Sequence, residues 1–87
     1  MENKLRKING KSNLAGEFLK QKRLAKNFNR SDLEREMQLF GLNMTVDDIY
    51  RIETNRILLK DFELIAMSII LDIDLNELKI LYKSKNN

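Results

Sequence analysis

The 87-residue chain contains no cysteine, no histidine and no proline, and only three glycines. Without cysteine it can form no disulfide, no thiolate metal site and no thiol nucleophile. Without histidine the usual zinc sites cannot be built, and the commonest general base is missing. The absence of proline, with glycine only at positions 10, 16 and 41, predicts an all-helical domain. Its carboxylates fall at capping or surface positions and not in a convergent pair, so neither catalysis nor a cofactor is expected. No apolar run approaches the length of a signal-peptide core or a bilayer span, which predicts a cytoplasmic protein with no membrane partner.

What remains is one small domain, large enough to fold alone. Hydrophobic residues make up 43% and charged residues 33% of the chain, ordinary proportions for a globular protein. The net charge of +3 hides a strong asymmetry. Residues 1–30 hold nine Lys/Arg against two Glu, whereas residues 31–82 hold five against eleven Asp/Glu. A basic front third therefore precedes an acidic body.

Residues 1–11 carry Lys4, Arg6, Lys7 and Lys11 with few apolar anchors, and read as a flexible basic arm that could follow a phosphate backbone. Residues 12–83 read as the folded domain and 84–87 as a frayed tail. Ser12 or Asn13 is expected to cap a first helix ending near Lys26, with Leu14, Phe18 and Leu24 or Ala25 inward and Asn27 in a left-handed terminal position. A second helix is expected from about Arg30 to Phe40, with Leu33, Met37 and Phe40 inward. Gly41 and Asn43 suit the following turn because both tolerate positive φ.

Thr45 then caps a third helix in a Thr-Val-Asp-Asp capping box, with Ile49 and Ile52 inward and Asn55 ending it. Asp61 starts a fourth helix, apolar on most of its circumference and expected to be central. Asp74–Glu77 offers a further capping box for a short fifth helix. Met37, Met44 and Met67 read as core packing.

The segment SDLEREMQLFGLNMTVDDIYRIETN (31–55) therefore pairs two helices around a glycine-bearing turn, a helix-turn-helix whose second helix is shaped for a DNA major groove. The stretches GEFLKQKRLAKNFNRSDLE, MTVDDIYRIETNR and KDFELIAMSIILDIDLNEL resemble the Cro/C1-type (XRE-like) helix-turn-helix family of bacterial and phage regulators over about Leu14–Tyr82. The resemblance implies a compact five-helix, lambda repressor-like domain with an extended second helix. It implies double-stranded DNA as partner, contacts from Arg30, Thr45, Val46, Asp47, Tyr50 and Arg51, and a phosphate contact from Arg56. It also implies a homodimer, for which Ile80, Leu81 and Tyr82 on the fifth helix are the candidate surface.

Three features depart from the family pattern. The Leu33–Ile49 span is about five residues longer than the compact motif with its 3–4-residue turn. Glu34 stands where the family usually has alanine, and Asp47 and Asp48 place negative charge where phosphates would approach. The aspartates stabilise the helix dipole by ~0.3–1 kcal/mol each, and Asp47 could accept from cytosine N4. A third role is contact with a basic protein surface. The expected function is a small sequence-specific repressor. The alternatives are the antitoxin of a toxin–antitoxin pair, with a toxin as protein partner, and a helix-turn-helix-fold module that binds another protein and has lost DNA.

Overall fold

Side-chain caps fix where most of the helices begin. The computed structural model describes residues 10–85 and contains α1 (Gly16–Ala25), α2 (Arg30–Leu39), α3 (Val46–Glu53), α4 (Asp61–Ile70) and α5 (Leu75–Lys85), with no strand among the described residues. None of these helices is long and apolar enough to cross a membrane. Lys4, Arg6 and Lys7 of the basic arm lie outside the described residues; Lys11 is exposed.

At α2, Asn29 and Asp32 form a reciprocal capping box, each side chain accepting from the other's backbone N–H at 2.9 and 2.8 Å. At α3, Thr45 Oγ1 accepts from Asp48 N at 3.0 Å and Asp48 Oδ2 from Thr45 N at 3.1 Å. Glu63 and Glu77 accept from the N–H of Lys60 and Asp74 at the starts of α4 and α5. Each box satisfies N–H groups that have no partner inside their helix. Asn27 and Asn55 take positive φ of 62° and 64°, ending α1 and α3, and Asp72 does so after α4. In the α2–α3 turn Gly41 has φ 81°; Asn43 does not take a positive φ.

The start of α1 differs from the sequence expectation. It begins at Gly16, three residues after Asn13, whose side chain bonds the first N–H of the helix and also reaches across the fold. Asn13 Oδ1 accepts from Gly16 N at 2.8 Å, while Nδ2 donates to the carbonyls of Ile52 (3.1 Å) and Ile57 (2.9 Å). The register of α1 shifts accordingly: Ala15, Leu19 and Arg23 are buried, Leu14 and Phe18 half-buried, and Leu24 and Ala25 exposed.

The core is formed by Leu19 from α1, Leu33 and Met37 from α2, Met44 from the turn, Ile49 and Ile52 from α3, and Met67 and Ile70 from α4. The three interior methionines fill it as expected. Two expectations fail. Phe40 is 45% exposed, not inward. And α4 is not central: Ala66, Met67 and Ile70 are buried, but Phe62, Ile65 and Ile69 form an open stripe. On α5, which continues to Lys85, Leu78 and Leu81 pack on the core while Ile80 and Tyr82 are exposed. Consecutive helical residues diverge by about 100°, so Ile80, Leu81 and Tyr82 do not share one face.

Candidate nucleic-acid interface

The face of α3 turned away from the core carries Val46, Asp47, Tyr50, Arg51 and Thr54, all exposed. Their spacing follows from the opposite face. Ile49, Ile52 and Glu53 are buried and fall within about 100° of one another around the helix, so Asp47, Tyr50, Arg51 and Thr54 on the opposite side look outward. Thr45 is exposed too, but its hydroxyl is occupied as the helix cap.

A salt bridge underneath holds this helix in place. Glu53 and Arg23 are each 3% exposed. Arg23 Nε donates to Glu53 Oε2 at 2.7 Å and Nη2 to Oε1 at 3.0 Å, a bidentate pair, and Nη1 donates to the Phe28 carbonyl at 2.8 Å. Such a fork fixes direction as well as distance. It ties the C-terminal end of α3 to the C-terminal end of α1 and to the start of α2.

Above the pair, Glu53 Oε1 also accepts from Arg30 Nε at 3.0 Å. The Arg30 guanidinium carbon lies 5.1 Å from the centre of the Tyr50 ring, and that of Arg56 lies 5.6 Å from the same ring. Arg30, Tyr50 and Arg56, three of the residues implicated by sequence, are thus brought together from α2, α3 and the segment after it. Tyr50 is a platform between two guanidinium groups as much as a free contact surface.

The other end of α3 is arranged differently. Asp47 Oδ2 and Arg51 Nη2 form an i,i+4 ion pair at 2.7 Å, with both side chains about half exposed or more. Val46, 37% exposed, stands at the helix start. The exposed charge of Asp47 is therefore matched by Arg51, and Asp48 serves as the reciprocal cap of Thr45. Such an exposed pair is worth ~0.3–0.5 kcal/mol and opens readily when another partner competes. Glu34, in α2, is half-buried.

The bonds of Asn13 to the Ile52 and Ile57 carbonyls and the burial of Arg23 were not expected from the sequence. Arg23 carried a signal. Arg23 lies four residues after Leu19 and eight after Ala15, so it falls on the inward register of α1, where an arginine needs a buried acid. Glu53, one after Ile52 and four after Ile49, is the acid on the matching register. Comparison with family models, curated proteins and solved structures finds no match for this chain.

Proposed function

We propose that the chain is a sequence-specific DNA-binding transcriptional regulator, a small repressor with a Cro/C1-type helix-turn-helix fold. The observation that carries this reading is the outward face of α3. A helix of eight residues is seated on buried isoleucines and flanked by Arg30 and Arg56. With its side chains a helix is about 10–12 Å across, which suits a major groove about 12 Å wide.

In this reading the arginines at the C-terminal end of α3 meet phosphate, Arg30 held by Glu53 and stacked on Tyr50, Arg56 stacked on the same ring. Val46, Asp47 and Arg51 face the bases. Arg51 exchanges its exposed partner Asp47 for guanine O6 and N7, and Asp47 becomes free to accept from a cytosine amino group. Val46 offers an apolar contact to a thymine methyl. Lys4, Arg6, Lys7 and Lys11 add the salt-dependent, sequence-independent attraction.

Selection from a random duplex library tests the reading. A regulator of this kind enriches one short motif, and Arg51→Ala relaxes it at one or two positions. Recovery without enrichment would overturn it. A second reading, a module for a protein partner, draws on the exposed acidic start of α3, where the Asp47 side chain is 64% accessible. It predicts no enrichment and loss of partner binding in Asp47→Lys.

A further inference from the structure

Two hollows meet beside α5. The first, of about 420 Å³, lies between α4 and α5, walled by Leu64, Leu75, Leu78 and Tyr82 with Lys79 and Lys83 at its edge. The second, of about 300 Å³, shares Leu64, Leu78 and Tyr82 with it and runs past Leu81 to Leu59 and Leu14. Together they form one elongated apolar groove. Small-molecule sites commonly enclose ~300–1,000 Å³ behind apolar walls, with a few polar groups that fix orientation.

The charge at the edge follows from helix geometry. At 100° per residue, Leu75, Leu78, Lys79 and Tyr82 fall within about 100° of one another, and Lys83 lies about 40° beyond Lys79. The two lysines are one turn apart, with Cβ atoms ~5–6 Å from each other, so a single carboxylate can reach both ammonium groups. Both are exposed, and neither has a carboxylate partner among the described residues. Glu77, the one acid of α5, lies on the opposite side, where it accepts from the Asp74 N–H and pairs with Lys22.

We propose that this groove binds a small amphiphilic anion, an aliphatic carboxylate whose head lies between Lys79 and Lys83 and whose tail follows Leu78 and Leu64 toward Leu59. The unpaired lysines select the charge of the head. The apolar floor selects a hydrocarbon tail over a sugar or a nucleotide, whose polar groups would be left without partners. Such a tail covers Leu75 and Tyr82, now 64% and 53% exposed. The other hollows lack this combination. The one between α2 and α4, around Phe40, Phe62 and Ile65, has no cation among its lining residues. The one between the starts of α3 and α4 sets Asp48 and Glu63 beside Lys60, and two acids repel a carboxylate.

The inference does not rest on DNA binding and is tested on the full chain without nucleic acid, by isothermal titration calorimetry with sodium dodecanoate. The expected result is one site per chain with a Kd of about 10–500 µM. Octanoate should bind at least about tenfold more weakly, because each methylene taken out of water is worth up to about fourfold. Dodecyltrimethylammonium, with the same tail and the opposite head charge, should also lose about tenfold or more. The paired change Lys79→Glu, Lys83→Glu and the single change Leu75→Asp, all at exposed positions, should each weaken dodecanoate at least about tenfold with an unchanged far-UV circular dichroism spectrum. Ile69→Asp, outside the groove, should leave it unaltered. Absence of binding up to about 1 mM overturns the proposal, as does equal affinity for dodecanoate and octanoate, binding that survives the lysine changes, loss in Ile69→Asp, or one ligand per two chains. Should the variants unfold, the comparison of tails and heads on the unaltered chain decides alone.

Discussion

Arg23 and Glu53, thirty residues apart in sequence, form a bidentate ion pair at 2.7 and 3.0 Å with almost no access to solvent. The pair joins α1 to the helix that presents the candidate interface, and Arg30 extends it to the surface. Removing one partner leaves a buried charge without compensation. Glu53→Ala is therefore expected to lower stability by about 3–5 kcal/mol, read as a reduced midpoint in urea unfolding. A loss below ~1 kcal/mol would mean that solvent reaches the arginines. Replacing both Arg23 and Glu53 by apolar residues of similar volume should cost less than the single change.

Gly16 is where α1 meets the end of α3. A Cβ at this position would run into the backbone carbonyls of Ile52 and Glu53 and the Asn55 side chain. Gly16→Ala should thus destabilise by about 1–3 kcal/mol through forced separation of the helices, although alanine is the better helix former. At an unobstructed helical position the same change would stabilise, so the sign of the melting-temperature shift decides.

The Tyr50 platform separates stacking from hydrogen bonding. Tyr50→Phe keeps the ring beside Arg30 and Arg56 and should retain DNA affinity within about twofold. Tyr50→Ala removes two exposed cation–π contacts of ~0.5–1 kcal/mol each and should weaken binding about fivefold to thirtyfold, with a shallower salt dependence. Equal losses in the two variants would assign the role to the hydroxyl instead.

Two caps respond to acid. Asp32 titrates below its ordinary 3.8, chiefly because the Asn29 N–H bonds its carboxylate, with Arg35 adding to the effect. Glu77 titrates below its ordinary 4.5, held by the Asp74 N–H and then by Lys22. For a depressed carboxylate the contribution is complete above the unfolded value and is lost as pH falls through the folded one. Melting temperature should hold steady near pH 5.5 and decline below about pH 4.5. The double variant Asp32→Asn, Glu77→Gln should start lower and show a smaller decline; an identical slope would remove the caps from the acid response.

Local signals in the sequence were the readable ones. The Thr45–Asp48 box spans four residues, and Asn27 and Asn55 need only their own backbone angles, so composition and spacing suffice to place them. Ile49 and Ile52 locate the inner face of α3, and with it the outward set. The register of α1 was not legible from its apolar residues, because Asn13 reaches across to the Ile52 and Ile57 carbonyls some forty residues away. Phe62, Ile65 and Ile69 misled for another reason. An apolar circumference states that a helix avoids water, and does not state whether its own chain or another provides the cover.

Fluorescence-anisotropy titration against the DNA upstream of its own coding sequence and against a scrambled duplex, across salt concentrations, tests the central claim most directly. A sequence-reading regulator binds the upstream duplex more tightly, shows a steep decline with salt on both, and loses the preference in Arg51→Ala. Equal and weak binding to both duplexes would contradict it, leaving only nonspecific attraction from the basic residues.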